Sequence, residues 1–322
     1  MAASPASPDL HDAPTGPPPT RTRALLLVNR KARRGKGDLS AALGRLRAAG
    51  FEFVEERVDV PTQLAQVVRR NRHRVDAVII GGGDGTLTMA ADGLVDAQLP
   101  LGILPLGTAN DLARTLNLPL DPAVAADVIA AGHQRRIDLG WVNGTHFFNV
   151  ATVGLGVGVT RRLNRERKSR WGVLAYLFAA AQVVTRARPF AADIRTGTET
   201  VRVRTVQVTV GNGRHFGGGM TVDQAATIDD GVLHLVSLEA ERWWQLVALL
   251  PAMWRGTQWR ARHIRTLRGR EFEITPVKKR KKKVTADGEV SSRTPAIIRL
   301  VPRVLSVFVP PPASSGEHQV LQ

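Results

Sequence analysis

Residues 78–90, VIIGGGDGTLTMA, place three glycines and Asp84 between a short apolar run and a segment typical of a helix. Consecutive glycines allow positive φ angles and the close approach of another group. A bend that opens a helix also presents free N–H groups and the positive end of the helix dipole, which favour a phosphate. Asp84 would repel that phosphate unless a metal ion or sugar hydroxyl lay between them. A Mg-nucleotide would satisfy both groups, with Thr86 capping the helix or bonding the phosphate. The alternative is a plain strand-to-helix turn with Asp84 as its N-cap.

Two further loops carry polar groups suited to a nucleotide. The segment VNRKARRGKG at 28–37 follows an apolar strand with Asn29 and then a basic, glycine-containing loop, which could grip phosphates. The segment LPLGTANDLART at 104–115 places Thr108, Asn110 and Asp111 at a loop–helix junction. A solvated loop and ordinary helix capping are the respective alternatives.

Two isolated acidic residues complete the set of candidates. Asp138 lies in RRIDLG and Glu289 in TADGEV, where the neighbouring residues are mainly basic or apolar. Carboxylates in such positions can serve acid–base or metal chemistry. Each could equally be a salt-bridge or turn residue.

The order of elements indicates how these residues are positioned. Strand and helix patterns alternate over 24–135, which predicts a parallel sheet covered by helices on both faces. Ligands of such sheets bind at the carboxyl ends of the strands, where both glycine loops fall. From about residue 138 strand-like pieces such as VRVRTVQVTV predict a second, mostly antiparallel β-sandwich domain. Two helical insertions are expected in it, at about 161–186 and 241–260.

The fold class predicted is therefore α/β, with an N-terminal parallel-sheet nucleotide-binding domain and a C-terminal β-sandwich domain. The predicted divisions are a disordered tail at 1–21, the nucleotide-binding domain at 22–137, the β-rich domain at 138–303 and a second tail at 311–322. The last strand, within 304–310, is expected to complete the first domain.

Composition narrows the classes of function. The 322 residues carry a formal net charge of +17, which predicts an anionic partner: nucleic acid, a negatively charged membrane face or a phosphorylated substrate. The chain has no cysteine, which excludes disulfides, thiolate metal sites and a cysteine nucleophile. The first 21 residues lack the pattern of a signal peptide, and the longest nearly apolar run, 171–184, is too short to cross a bilayer. The expected location is cytoplasmic.

Taken together, the motifs resemble the diacylglycerol kinase catalytic family, lipid kinases that include the sphingosine kinases and the bacterial YegS-like enzymes. The resemblance covers roughly residues 22–310. It rests on the ordered set VNRKARRGKG, GGGDGTL, PLGTANDLAR, RRIDLG, NVATVGLGVGV, TIDDGVLHL and VTADGEV. NAD kinases and phosphofructokinases share only the glycine bend. The first family motif commonly reads Asn-Pro, whereas Arg30 follows Asn29 here.

The resemblance implies ATP and Mg²⁺ as cofactors and assigns residues to three sites. The acid–base group would be Glu289, with Asp84 and Asp138 joined to it through water and the catalytic Mg²⁺. The nucleotide would be surrounded by Asn29, Gly82, Gly83, Asp84, Gly85, Thr86, Thr108 and Asn110. A structural cation would be held by the Asp230 side chain and the carbonyls near Thr227 and Val232, although a plain β-turn there is the alternative. No zinc site is expected.

The predicted function is transfer of the γ-phosphate of ATP to a lipid hydroxyl at a membrane surface. The basic run KKRKKK at 278–283 is expected to meet anionic phospholipid headgroups, or else to be a solvated hairpin tip. The segment 242–259, rich in Trp and Arg, suits either the bilayer interface or a packed helix. The alternatives are a kinase of a soluble molecule such as NAD, a basic nucleic-acid-binding protein, for which no motif is present, and a non-catalytic lipid sensor. The sequence indicates neither the lipid nor the oligomeric state.

Overall fold

A computed structural model describes ten stretches of the chain: 21–29, 36–56, 60–154, 189–197, 199–213, 215–216, 220–221, 227–239, 264–278 and 280–312. Several predictions lie outside the described residues. They are the basic loop at 30–35, most of both terminal tails, and the helical insertions at 161–186 and 241–260 with their Trp-rich segment. No helix in the described part of the chain is both long and apolar enough to span a bilayer.

The N-terminal half is built on four parallel strands in the order β2-β1-β3-β4. Their bounds are β1 (Thr22–Val28), β2 (Phe51–Glu55), β3 (Ala77–Gly82) and β4 (Leu101–Pro105). These strands form because their apolar runs are buried on both faces, as expected for a parallel sheet. Alternate residues of β1 serve opposite faces: Leu25 and Leu27 belong to one hydrophobic cluster, and Ala24 and Leu26 to another.

Helices cover both faces of this sheet. They are α1 (Lys36–Ala48), a 3₁₀ turn (Pro61–Gln63) leading into α2 (Leu64–Asn71), α3 (Asp84–Ala97), α4 (Asp111–Thr115) and α5 (Pro122–Ala130). The helices α2 and α3 contribute to the cluster that contains Leu25, whereas α1 and α5 contribute to the one that contains Leu26. Gly50, at φ 90°, follows α1 in the left-handed conformation that commonly ends a helix.

The long strand β18 (Ala296–Phe308) joins the two halves of the chain into one ten-stranded sheet. Its last part is parallel to β4, with Val307 opposite Leu101, so the final strand does return to the first domain. Its first part is antiparallel to β15 (Glu271–Pro276), which leads on to β8 (Phe190–Thr196) and β9 (Glu199–Thr205). Most of its length also pairs with β5 (Gln134–Val142), which in turn pairs with β6 (Thr145–Phe147).

A second, antiparallel sheet faces this extension and makes the predicted sandwich. Its order is β14-β13-β10-β7-β16-β17. The strands are β7 (Val150–Gly154), β10 (Gln207–Gly211), β13 (Leu233–Leu238), β14 (Ile264–Gly269), β16 (Lys283–Ala286) and β17 (Glu289–Arg293). A small pair consists of β11 (His215–Phe216) and β12 (Met220–Thr221). One hydrophobic cluster, including Phe147, Val208 and Phe272, lies between the two large sheets. The predicted fold class is confirmed.

The segment 201–210, expected as one strand-like piece, is divided between the two sheets. It breaks after Thr205, so that β9 belongs to the ten-stranded sheet and β10 to the six-stranded one. The Thr205 hydroxyl bonds both the N–H and the C=O of Gln207 at this corner, at 3.1 and 2.8 Å. Corners of this kind are how strands pass between packed sheets.

Candidate active site

The two glycine loops meet at the carboxyl edge of the parallel sheet. A Cβ on Gly83 would lie 2.9 Å from the Cα of Gly107, and one on Gly82 would lie 2.7 Å from Thr86 Oγ1. None of the glycines in the bend has a positive φ; Gly83 has an extended φ of −110°. The sequence argument from positive φ was therefore wrong here, and close approach alone explains why glycine is needed.

Helix α3 starts directly from this bend. Gly83 is its N-cap and supplies no side-chain cap, and Asp84 is its first residue. Asp84 does not cap the helix, because its Oδ1 accepts a hydrogen bond at 3.1 Å from the N–H of Leu112, in the first turn of α4. Among the residues that the structure describes, no group bonds Asp84 Oδ2. The first N–H groups of α3 and a carboxylate oxygen thus lie together at one edge of the sheet.

The neighbouring predicted nucleotide residues line the same edge. Thr86 is buried, and its Oγ1 accepts a hydrogen bond from Asn29 Nδ2 at 3.2 Å. Asn110, at φ 51°, closes its loop by bonding the N–H and the C=O of Gly107 at 3.0 and 3.1 Å. Thr108 is exposed at the tip of that loop. The combination of glycine close approach, an uncapped helix start and an exposed hydroxyl is suited to a nucleotide phosphate chain.

Glu289 lies on a tight hairpin of the six-stranded sheet. Asp287 and Gly288 form the turn between β16 and β17, with φ angles of 45° and 86°, and Ala286 pairs with Glu289. Two positive φ values are typical of the two-residue Asp-Gly hairpin. The Glu289 side chain is half-buried. Glu289 is therefore the first residue after the turn, and the geometry of the turn sets its position.

Asp287 makes the most complete set of hydrogen bonds in this region. Its Oδ1 accepts from the N–H groups of Asn149 and Val150 at 2.9 and 2.8 Å. Its Oδ2 accepts from the Phe148 N–H at 2.8 Å and from Thr88 Oγ1 at 2.9 Å. Burial raises the pKa of Asp287 from 3.8 to about 6, and these four hydrogen bonds offset part of that effect.

Thr88 links this hairpin to the glycine bend. It lies one helical turn after Asp84, and its Oγ1 is 2.9 Å both from the Asp84 carbonyl oxygen and from Asp287 Oδ2. A chain of contacts therefore runs from Asp84 through Thr88 and Asp287 to the turn that carries Glu289. Asp84 and Glu289, two of the three predicted catalytic carboxylates, therefore lie on opposite sides of one contact between the domains.

Asp138 has a different environment. It is 1% exposed, and its two oxygens accept the N–H groups of Arg303 and Gly231 at 2.7 and 2.9 Å. Within the described ranges, no group of three or more acidic or histidine side chains is arranged to hold a metal ion. The assignment of Asp84, Asp138 and Glu289 to one Mg²⁺, joined through water, stays a prediction. Both Asp138 oxygens accept backbone N–H groups, one from the irregular part of β18 and one from the turn before β13.

Comparison with known proteins agrees with this geometry. The family model described as the diacylglycerol kinase catalytic domain matches residues 23–142, and the one described as the YegS C-terminal NAD kinase beta sandwich-like domain matches 149–309. A protein named "Diacylglycerol kinase" from Mycobacterium tuberculosis is 32% identical, over 84% of this chain and 88% of that protein. One named "Probable lipid kinase YegS-like" from Klebsiella pneumoniae is 33% identical, over 71% and 76% of the two chains.

The chain belongs to the diacylglycerol kinase family of lipid kinases. A crystal structure of a diacylglycerol kinase from Bacillus anthracis agrees with the fold, with a TM-score of 0.74 at 26% identity, covering 90% of this chain and 98% of that one. The resemblance inferred from the ordered motifs is confirmed.

The family's structural cation site corresponds here to a compact turn. Asp230 accepts hydrogen bonds from the N–H groups of Thr227 and Val232, at 3.1 and 3.0 Å, and its Oδ2 lies 3.2 Å from His234 Nε2. These contacts are those of a turn that the Asp230 carboxylate closes. The assignment of a structural cation to Asp230, Thr227 and Val232 stays a prediction.

Four side chains of the site region were not predicted from sequence. Asp287 stands in the sequence only as part of the turn before Glu289, and neither Thr88 nor the hydrogen-bonded pair of Asp92 and His146 belongs to a motif. The Asp-Gly dipeptide did signal the hairpin. No local pattern could reveal that the Asp287 carboxylate turns inward, because its partners lie 137 to 199 residues away in the sequence.

Proposed function

We propose that this protein transfers the γ-phosphate of ATP to the hydroxyl of a lipid, diacylglycerol or a related glycerolipid, in a Mg²⁺-dependent reaction. The main support for the proposal is the series of contacts through Thr88 and Asp287. These contacts connect the start of α3, where Asp84 lies, with the hairpin of Glu289. The names of the relatives from Mycobacterium and Klebsiella support a lipid acceptor.

Residues of both domains would take part in the reaction. The N–H groups at the start of α3 and the exposed Thr108 would orient the phosphates of the nucleotide. Glu289 would accept the proton of the attacking hydroxyl, as phosphoryl transfer requires of a positioned carboxylate. Mg²⁺ bound with the nucleotide would neutralise charge on the transferred group. Such an ion is usually held by one or two carboxylates plus phosphate oxygens, so Asp84 suffices without Asp138.

The basic run at 278–283 supports action at an anionic membrane surface. Lys278, Arg280, Lys281 and Lys283 are exposed, and none of them has an ion-pair partner in the described part of the chain. Lys283 stands directly opposite Arg293 across the β16–β17 pair, an arrangement of like charges that is unfavourable in isolation. Anionic headgroups would relieve it. Each basic residue near such a surface contributes about 1 kcal/mol.

A phosphorylation assay tests the proposal. The purified protein is incubated with labelled ATP, Mg²⁺ and mixed micelles that contain diacylglycerol, phosphatidylglycerol or a sphingoid base. A vesicle-free arm with NAD tests the soluble-substrate alternative. We expect a labelled lipid, and we expect Glu289→Gln and Asp84→Asn to lower kcat about 100-fold or more.

The matched control is Glu199→Gln, the same substitution on an exposed residue at the start of the edge strand β9. It should leave kcat unchanged. Labelling of NAD without labelling of any lipid would refute the lipid kinase proposal. Full activity of both site variants would refute the assignment of Glu289 and Asp84.

A further inference from the structure

Helix α3 carries a polar stripe that faces the second half of the molecule. Asp84, Thr88 and Asp92 are spaced four residues apart and so lie on one face of the helix. Thr88 contacts Asp287 in the hairpin, and Asp92 Oδ1 accepts from the His146 N–H at 2.9 Å and lies 2.7 Å from its Nδ1. Because α3 begins at Asp84, this polar stripe connects the nucleotide side of the site with the sandwich.

The hairpin needs an external constraint. Among the strands that the structure describes, β17, which begins at Glu289, is the edge strand of its sheet and pairs with β16 alone. An edge strand lacks the second row of hydrogen bonds that fixes a central strand. Its register also shifts between Val284 and Thr285, so the pairing with β16 is irregular just before the turn. Pairing alone therefore fixes Glu289 weakly.

Asp287 supplies that constraint. Three consecutive N–H groups, from Phe148 to Val150, converge on its carboxylate, and its own N–H bonds the Val150 carbonyl at 2.8 Å. These residues lie where the chain passes from the catalytic-domain match, which ends at 142, to the sandwich match, which begins at 149. The hairpin, the interdomain segment and α3 thus meet at the carboxylate of Asp287.

We propose that Asp287 is a positioning residue: its hydrogen bonds to 148–150 and to Thr88 fix Glu289 relative to Asp84. Both carboxylate oxygens of Asp287 are occupied by hydrogen bonds from Thr88 and from 148–150, so it acts through Glu289. The proposal rests on the assignment of Glu289 under the proposed function. A displacement of about 1 Å of a catalytic group can reduce the rate about 100-fold.

The test compares four variants in lipid phosphorylation and in backbone hydrogen exchange. Asp287→Asn puts an NH₂ group against a backbone N–H, and Thr88→Val removes the hydroxyl with little change in shape. Thr88→Ser keeps the hydroxyl. Asp92→Asn is the matched control, because it disturbs another contact of the same helix face that does not reach the hairpin.

We expect Asp287→Asn to lower kcat about 100-fold and Thr88→Val about tenfold, with KM for ATP within about twofold of wild type. Thr88→Ser should restore wild-type kcat. Amides of 284–293 should exchange faster in Asp287→Asn and Thr88→Val, but not in Asp92→Asn, whose kcat should be unchanged.

Two results would overturn the proposal. One is faster exchange in the hairpin with wild-type kcat, which would make Asp287 a purely structural residue. The other is an equal loss of kcat in Asp92→Asn, which would show that any interdomain contact of α3 has the same effect. Absence of lipid kinase activity in the wild-type protein would instead refute the proposed function, and the exchange data would then still report whether Asp287 holds the hairpin.

Discussion

Replacing Asp287 by Asn should remove a pH-dependent part of the free energy of unfolding. Burial raises the pKa of this carboxyl from 3.8 to about 6 in the folded protein, despite the hydrogen bonds that it accepts. One pKa unit corresponds to about 1.4 kcal/mol, so the difference corresponds to about 3 kcal/mol. The Asp287 residue is partly exposed, so this figure is an upper value.

The direction follows from the raised pKa. The fold favours the protonated carboxyl, so the stabilising contribution is complete below about pH 4 and is lost as pH rises through about 6. Asn cannot titrate. Between pH 3.5 and pH 7 the wild-type protein should therefore lose about 3 kcal/mol of stability relative to Asp287→Asn.

Urea unfolding of both proteins across this pH range measures the effect. The unfavourable NH₂ contact in the variant is independent of pH and shifts its curve as a whole, so the slopes are compared rather than the absolute values. Thr88→Val serves as the control, because it alters the same cluster but keeps the carboxyl; loss of a hydrogen bond that lowers the pKa of Asp287 should give a slope at least as steep as that of the wild type. Parallel curves for wild type and Asp287→Asn would refute the reasoning.

Four further substitutions test other parts of the structure. Gly83→Ala should raise KM for ATP severalfold, because its Cβ would separate the two glycine loops. The control is Gly44→Ala on the exposed face of α1, where the Cβ meets nothing within 4 Å and should stabilise the protein by about 0.5–1 kcal/mol. Equal KM values for the two variants would contradict the close-approach argument. Asp138→Asn should lower stability by about 1–3 kcal/mol, as its NH₂ group would face a buried N–H; loss of activity at unchanged melting temperature would favour a direct ligand role instead. Lys281→Glu should weaken binding to anionic vesicles by about 2 kcal/mol in a sedimentation assay, and an equal effect on zwitterionic vesicles would argue against headgroup recognition.

The fold class could be predicted because local patterns specify it. Apolar runs alternating with amphipathic helices between 24 and 135 require a covered parallel sheet, and the structure contains one. The division of 201–210 between two sheets could not be predicted in the same way. The strand pattern is continuous across Thr205, and only the packing of two sheets requires a corner there.

In the candidate site, too, the sequence predicted some features and only the tertiary structure showed the others. The glycine bend could be located from its residues. Glycine is needed there because Gly83 approaches Gly107 on another loop, and not because the backbone has a positive φ. Asp138 and Glu289 were chosen by the same kind of reasoning from motifs. Their environments differ in the structure. Asp138 is buried and accepts hydrogen bonds from two backbone N–H groups, whereas Glu289 is half-buried and follows a hairpin turn.

The amino-acid sequence alone determined the family, the order of the elements and the edge of the sheet where the nucleotide is expected, because these depend on spacing along the chain. Only the tertiary structure decided which carboxylates have their oxygens occupied by backbone N–H groups. It also showed that Asp287 joins the hairpin to α3. A hydrogen bond between residues almost 200 positions apart leaves no local trace, since it forms only when both domains have folded and packed.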